Sequence, residues 1–242
     1  MDYLGLSFEQ LDEQAVAKLL RSRGADKDFA YLVTPNVDHI VRLSKLDRDS
    51  AERTAYRHAA WRLCDSRMLS LLASLQGVRL LVVTGSDLTV RLFDDIAAAG
   101  DHICLIGGQP GDPAFLEARR PGIRVTQHIP PMGLHEDEAA RAAAARFAAA
   151  SGARFVLIAV GSPQQELIAA AIRDMPGTRG TGLCVGAGLD FLTGRERRAP
   201  RWMQRLALEW LHRLLSNPRR FWRRYLVEGP RIFKLAWQFR RR

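Results

Sequence analysis

Short apolar runs alternate with segments of helical character over the first three quarters of the chain. Most of these runs end at Gly or Pro, which is typical of strands followed by turns. The predicted strands are residues 29–34, 79–84, 102–106, 123–127, 155–160 and 182–185. Helical patterns follow from Asn36, Ser86 and Gln164, and the alanine-rich stretch 136–150 predicts a further helix. This alternation predicts a Rossmann-like α/β fold with a doubly wound, mostly parallel sheet.

Glycines and short polar residues follow the predicted strands, at the edge where doubly wound sheets bind ligands. The candidate substrate-binding residues at these turns are Thr34, Asn36, Ser86, Asp87, Gly107, Gly108, Gly161, Gln165, Gly186 and Asp190. Each has a structural alternative: Asn36 could simply cap its helix, and the glycines could simply permit close packing. No turn matches the GxGxxG or GxxxxGK[ST] phosphate-binding motif, so none of them alone identifies a ligand.

Asp65 is a lone carboxylate in the otherwise apolar and basic segment WRLCDSRML. A carboxylate flanked by apolar groups can serve as a general base. The alternative is an aspartate at a helix terminus, or one that forms a salt bridge with Arg62 or Arg67. On the residues alone the structural alternative is favoured, and the catalytic one stays open.

Positive charge is concentrated in the last 48 residues, although the whole chain carries a net charge of +10. Residues 195–242 contain fifteen Lys and Arg against three acids, whereas residues 1–194 have a net charge of −2. Four of the five tryptophans, Trp202, Trp210, Trp222 and Trp237, also lie in this segment. Arginines interleaved with aromatic residues suit an anionic surface above an apolar layer, as at a membrane. We therefore divide the chain into a core, 1–194, and a membrane-docking appendage, 195–242.

The appendage is predicted to be helical. Pro200 fits a first helical position, and large apolar residues then recur every four residues up to Leu214. A second helix is predicted between Asn217-Pro218 and Gly229-Pro230, and residues 232–239 are predicted to form a third. At 100° per residue, the second helix has two opposite faces. One face carries Arg219, Arg220, Arg223 and Arg224, and the other carries Phe221, Trp222, Tyr225 and Leu226.

Several classes of protein are disfavoured by the residue content. The three cysteines, Cys64, Cys104 and Cys184, are odd in number and lie in or beside apolar segments, which argues for a reducing cytosol. The start, MDYLGLSFEQ, lacks the regions of a signal peptide, and no apolar run of about eighteen residues predicts a membrane span. Membrane contact is therefore expected to be peripheral. The six histidines are scattered, so we expect no metal site and no cofactor.

Taken together, several segments resemble the WecG/TagA/CpsF glycosyltransferases, glycosyltransferase family 26, in order and spacing. They are TPN at 34–36, Asp65, TGSDL at 84–88, LIGGQPG at 105–111 and VGSPQQE at 160–166. The most specific is VGAGLDFLTGRERRAPRWMQRLALEWLHRLLSNPRRFWRRYL at 185–226. The resemblance covers almost the whole chain and is weakest over the first 28 residues. Two positions depart from the family: Ser66 stands where Gly often follows the catalytic carboxylate, and Leu189 stands where Phe is usual.

The resemblance implies an inverting, metal-independent enzyme at the inner face of the cytoplasmic membrane. Its donor would be a UDP-sugar, and its acceptor would be a polyprenyl-diphosphate-linked saccharide. Asp65 matches the family's proposed general base, Thr34 and Asn36 match residues of the sugar pocket, and Gln165 matches the amide of the GxPxQE segment. The arginines that match a group suited to diphosphate are Arg213, Arg220, Arg223 and Arg224, and Trp222 is expected at the membrane.

The Asp65-Ser66 pair is closer to exopolysaccharide glycosyltransferases, which implies a hexose such as glucose and a role in exopolysaccharide or cell-envelope polysaccharide synthesis. Three other classes compete with this interpretation. A nucleic-acid-binding protein with an arginine-rich tail would have no use for four tryptophans and shows no recognition motif. A nicotinamide-dependent oxidoreductase is disfavoured because the dinucleotide fingerprint is missing. In a catalytically dead scaffold, Thr34, Asn36, Asp65 and Gln165 would not need to be intact.

Overall fold

A computed structural model gives the structure of the protein and describes residues 1–240. Arg241 and Arg242, and the side chains of Arg201, Arg205 and Arg220, lie outside the described part. The strands are β1 (Asp2–Tyr3), β2 (Leu6–Ser7), β3 (Ala30–Val33), β4 (Trp61–Arg62), β5 (His102–Gly107), β6 (Arg124–His128), β7 (Phe155–Ala159) and β8 (Thr181–Cys184).

The helices up to residue 192 are α1 (Glu13–Ser22), α2 (Val37–Leu43), α3 (Ala51–His58), α4 (Arg67–Ser74), α5 (Gly85–Arg91), α6 (Asp112–Arg119), α7 (Glu138–Ala150), α8 (Gln164–Arg173) and α9 (Gly188–Leu192). The later helices are α10 (Arg201–Arg205), α11 (Glu209–Ser216), α12 (Pro218–Trp222) and α13 (Arg231–Arg240). Two further segments, Leu92–Ile96 and Arg223–Glu228, are π-helical.

Within residues 1–240, six strands form an all-parallel sheet in the order β4-β3-β8-β7-β5-β6, and β1 pairs with β2 as a separate hairpin. The predicted Rossmann-like α/β fold is therefore confirmed. Because β3, β8 and β7 are neighbours, their carboxyl ends bring Thr34, Gly186 and Gly161 to one place, although these residues are far apart in the sequence.

Five of the six predicted strands are present, with boundaries shifted by at most one residue. The prediction for residues 79–84 is wrong. There, only Val82 forms a bridge, with Cys64, and the Val83 amide donates to the Cys64 carbonyl at 3.0 Å. The neighbouring strand β4 has only two residues, so this run has no partner long enough for a ladder. Its apolar pattern reflects burial, since Leu80 and Val83 belong to the core, and not pairing in the sheet.

The sheet is apolar on both faces because helices cover both of them. Tyr31 and Val33 of β3 belong to one core cluster, whereas Leu32 between them belongs to the other. The same alternation places Ile106 and Leu105 of β5 in opposite clusters. The central strands are therefore held rigidly, and so are the turns at their carboxyl ends.

The appendage begins with two short helices in place of a continuous one. Ala207, between α10 and α11, has φ of +58°, a left-handed conformation that an α-helix cannot contain. Pro200 is the N-cap residue of α10, so the prediction that it occupies the first helical position is wrong. The recurrence of apolar residues at every fourth position thus predicts that this segment is helical, but it does not predict that the segment is divided into two helices.

The predicted faces of the following helical segment are wrong in detail, although Pro218 begins it and Gly229 follows it as predicted. Phe221 is buried, but Trp222 and Leu226, which the sequence predicts on the same face, are 48% and 55% exposed. From Arg223 onward the segment is π-helical, and its i→i+5 hydrogen bonds change the rotation per residue. A helical wheel drawn at 100° per residue therefore assigns these residues to the wrong faces.

The last helix, α13, packs on the core. Ile232 and Ala236 are buried, and the rings of Tyr3 and Phe239 meet edge to face with centroids 5.2 Å apart. The Gln76 side chain donates from Nε2 to the Ala236 carbonyl at 3.0 Å. In the part of the chain that the structure describes, no helix combines the length and the apolar character needed to cross a membrane.

Candidate active site

A polar cleft of about 200 Å³ lies at the carboxyl edge of the sheet, and the appendage forms its outer wall. Seven predicted site residues of the core line it: Thr34, Asn36, Asp65, Ser86, Gly161, Gln165 and Gly186. From the appendage, Arg213 and Arg224 line it as well. The structure thus brings together most of the residues that the sequence singled out, drawn from five turns and two appendage segments.

Asp65 is fixed between the edge strand β4 and helix α4. Its amide donates to the Pro35 carbonyl at 3.0 Å, and the next residue, Ser66, caps α4 by accepting from the Leu69 amide at 3.1 Å. The carboxylate therefore cannot move far from the cleft. Its side chain is partly exposed and lines the cleft.

Burial raises the pKa of Asp65 to about 7. The positive charge of Arg213 and a hydrogen bond from the Gly85 amide oppose this rise, while the charges of Glu209 and Asp87 add to it. The carboxyl group is thus partly ionised at neutral pH and can accept a proton there. Within the described residues Asp65 forms no ion pair with Arg62 or Arg67, so the salt-bridge alternative does not hold.

Thr34 and Asn36 hold the turn between β3 and α2. The Asn36 side chain accepts from the Asp38 amide at 3.0 Å and from the His39 amide at 3.4 Å, so it does cap its helix. The Thr34 hydroxyl donates to the Cys184 carbonyl at 3.4 Å, which ties β3 to β8. Capping uses only the oxygen of the Asn36 amide, and the residue also lines the cleft. The two interpretations of Asn36 are therefore compatible.

Gln165 is held rigidly in the floor of the cleft. Its Oε1 accepts from the Gly186 amide at 2.8 Å, and its Nε2 donates to Glu166 at 2.8 Å. The fully buried Glu166 also accepts from the Tyr56 hydroxyl at 3.0 Å and from the Ser162 hydroxyl at 2.7 Å. One hydrogen of the Gln165 Nε2 remains for a ligand. Burial raises the pKa of Glu166, and its three donors oppose the rise.

Four predicted binding residues do not line the cleft. Asp87 is bound by Arg198, at 3.3 Å between Nη2 and Oδ2, and Asp190 by Arg195, at 2.8 Å. Both carboxylates thus attach the start of the appendage to the core. Gly107 and Gly108 serve close packing: a Cβ at Gly107 would lie 2.7 Å from the Ala159 carbonyl oxygen.

The predicted site residues of the appendage also form two groups, one that lines the cleft and one that does not. The Arg213 guanidinium lies 5.2 Å from the centroid of the Phe191 ring, and Arg224 forms an ion pair with Asp38 at 3.2 Å. Arg223 and Trp222 are exposed and line neither this cleft nor the second one described next. The predicted role of Arg220 falls on a side chain outside the described residues.

A second, apolar cleft of about 340 Å³ adjoins the first. Residues from α4, α11 and α13 and from the π-helical segment form its apolar walls: Met68, Trp210, Tyr225, Leu226, Ile232 and Phe233. The two clefts share Asn36, Asp38, Asp65, Glu209, Arg213 and Arg224. Asp65 therefore stands at the junction of a polar and an apolar cavity. Sequence reasoning missed this second cleft, because its walls come from distant segments that each have an ordinary amphipathic pattern.

The chain belongs to the WecG/TagA/CpsF glycosyltransferase family. The model of the Glycosyl transferase WecG/TagA/CpsF family matches residues 1–242, the whole chain, which confirms the resemblance drawn from the motifs. The protein is thus a glycosyltransferase, of a family that acts in the synthesis of cell-envelope polysaccharide.

Proposed function

We propose that the protein transfers a hexose from a UDP-sugar to a polyprenyl-diphosphate-linked saccharide, with inversion at the anomeric carbon. The observation that carries this proposal is the position of Asp65, where the polar and apolar clefts meet. A group at this junction can contact a polar donor on one side and a lipid-linked acceptor on the other.

The acceptor is an amphiphile, since its saccharide and diphosphate are polar and its polyprenyl chain is not. The apolar cleft provides aromatic and aliphatic walls for the first isoprene units, among them Trp210 and Phe233. The polar cleft provides hydroxyl, amide and backbone groups for the nucleotide sugar. Two cavities of opposite character suit two substrates of opposite character.

Asp65 acts as the general base in this proposal. Its carboxylate takes the proton from the acceptor hydroxyl while that oxygen attacks the anomeric carbon of the donor. The bond from the anomeric carbon to the diphosphate breaks on the opposite face, so the configuration inverts and UDP departs with the bonding electrons. A pKa of about 7 suits this role, because the base is partly ionised at neutral pH and still holds a proton firmly.

Arg213 and Arg224 stabilise the negative charge that develops on the departing diphosphate. Both line the cleft beside Asp65, and a guanidinium can bind two phosphate oxygens at once. Cations supplied by the appendage can perform the task that a divalent metal performs in other transferases. We therefore expect transfer to continue in EDTA, and a strict requirement for a divalent metal would contradict this role of the arginines.

Residues 195–242 dock on the anionic inner face of the cytoplasmic membrane in this proposal. Their exposed large apolar residues are Trp202, Leu206, Leu215, Trp222, Leu226, Val227, Phe233 and Trp237. Exposed basic residues such as Arg219, Arg223 and Lys234 lie among them. Aromatic side chains beside cations are typical of surfaces that enter the headgroup region of a bilayer.

The experiment is a screen of donors with purified protein. A short-chain polyprenyl-diphosphate saccharide is mixed with each of a panel of UDP-sugars, and released UDP and lipid product are both measured. Acceptor-dependent release of UDP from one donor is expected, with the opposite anomeric configuration in the product. Silence across the panel, together with tight and salt-sensitive binding of RNA or DNA, would contradict the proposal and favour a nucleic-acid-binding protein.

A further inference from the structure

His39 lies in the wall of the polar cleft and has no part in the transfer described above. It is only 8% exposed, and its ring centroid lies 6.1 Å from that of Tyr56. A buried histidine beside a substrate cleft can be a base, an acid or a fixed hydrogen-bond donor. Its hydrogen bonds decide among these roles.

The start of α2 determines which ring nitrogen carries the proton. As one half of a capping box, the Asn36 amide donates to the His39 Nδ1 at 3.3 Å. Nδ1 is therefore an acceptor, and a neutral ring must carry its hydrogen on Nε2. Burial and the charges of Arg42 and Arg224 keep the pKa of His39 well below its usual range, so the ring is neutral at physiological pH.

The Nε2 hydrogen is available to a ligand. Within residues 1–240, Nε2 has no hydrogen-bond partner. The atom is nevertheless not fully buried. It must therefore reach the cleft that His39 lines. A fixed donor of this kind cannot take a proton from the acceptor, because Nδ1 is already engaged and Nε2 already carries hydrogen.

We propose that His39 donates its Nε2 hydrogen to a hydroxyl oxygen of the sugar on the donor and thereby helps to select that sugar. This inference rests on the proposed function. The cleft is also lined by the neutral polar residues Asn36, Ser162 and Gln165, whose groups suit sugar hydroxyls. The cations Arg213 and Arg224, which suit diphosphate, come instead from the appendage.

Two variants of matched length separate donation from capping. In His39→Gln, Oε1 can accept from the Asn36 amide, as Gln does in other capping boxes, while Nε2 still donates into the cleft. In His39→Met, both functions are lost. The melting temperature of each variant reports the loss of the cap, and the inhibition constant of UDP reports the integrity of the nucleotide site.

We expect His39→Met to raise the KM for the UDP-sugar roughly tenfold, the effect of one lost hydrogen bond to a substrate, while UDP binding changes less than about twofold. His39→Gln should keep a KM close to that of the wild type. An unchanged KM in His39→Met would overturn the proposal. So would an equal loss of UDP affinity in that variant, or an equal rise of KM in both variants. Absence of transfer by the wild type would overturn the proposed function itself, and is seen before any variant is compared.

Discussion

The two walls of the polar cleft are held in place by different kinds of interaction. On the core side, Gln165 and Glu166 are buried, and donors from three other elements fix them at distances of 2.7–3.0 Å. On the appendage side, Phe221 and helix α13 are anchored by buried apolar contacts, but the polar contacts are more exposed. Arg224 pairs with Asp38 while both side chains remain about 30% exposed, and the Lys45–Glu228 pair is more exposed still.

This difference predicts different mechanical behaviour. A fully satisfied buried network is rigid, because every broken hydrogen bond leaves a polar group without water. Partly exposed ion pairs contribute about 0–1 kcal/mol each and weaken with salt. The core wall of the polar cleft is therefore preorganised, whereas the appendage wall can adjust if, as proposed, a lipid chain or a membrane contacts it.

The largest effect is expected for Asp65→Asn, because Asp65 lies where the polar and apolar clefts meet. The amide cannot accept the proton, so kcat should fall about 10²–10⁴-fold while UDP-sugar affinity stays near that of the wild type. Initial rates and donor titration by calorimetry measure the two quantities. Near-normal turnover would show that Asp65 is not the base. Loss of donor binding would show that Asp65 binds the donor instead.

The appendage surface should matter only when lipid is present. Trp202→Ser combined with Trp222→Ser removes two exposed aromatic side chains, each about half exposed. Binding to anionic vesicles, measured by sedimentation, should fall roughly tenfold or more. Each tryptophan that enters the bilayer interface contributes substantially to binding. Activity on a water-soluble short-chain acceptor should be unchanged. A variant that still binds vesicles as the wild type does would place the membrane surface elsewhere.

The proposed role of Arg224 at the diphosphate can be tested by substitution. Arg224→Gln should lower kcat about tenfold to a hundredfold, since it removes a cation beside the leaving diphosphate. The matched control is Arg223→Gln, because Arg223 is the neighbouring residue, is exposed and lines neither cleft. Equal effects of the two variants would show a general effect of charge and not a specific contact.

A separate effect concerns stability and its dependence on pH, and not the rate of transfer. Because burial raises the pKa of Asp65 to about 7, the folded protein binds this proton more tightly than the unfolded chain, whose carboxyl pKa is about 4. The wild type should therefore lose stability relative to Asp65→Asn as the pH rises from about 4 to about 7, with a constant difference above that range. Urea unfolding at several pH values measures the difference. A difference in the free energy of unfolding between wild type and variant that does not change with pH would contradict the raised pKa of Asp65.

Most of the fold follows from the sequence because a parallel sheet covered on both faces leaves uninterrupted apolar runs. β4 escapes this reasoning, since two residues at a sheet edge form no run, and residues 79–84 mimic a strand because they are buried. The break at Ala207 and the π-helical segment Arg223–Glu228 also leave no trace in apolar spacing.

The candidate site was partly predictable for a related reason. Thr34, Gly161 and Gly186 follow strands, and all such turns meet at one edge of the sheet. Glycine alone, however, does not distinguish a ligand turn from a packing turn. The sequence therefore also predicts Gly107 and Gly108 as binding residues, although they pack against neighbouring atoms. The sequence does not predict the role proposed for His39, because that role depends on a backbone hydrogen bond that no motif encodes.

The most direct test of the two adjoining clefts compares two variants against two substrates. Ser86→Ala alters the polar cleft alone, and Trp210→Ser alters the apolar cleft alone. The KM for the UDP-sugar should rise roughly tenfold in the first variant only, and the KM for the lipid acceptor should rise by a similar factor in the second only. A rise of both KM values in either variant, at an unchanged melting temperature, would contradict separate donor and acceptor clefts that meet at Asp65.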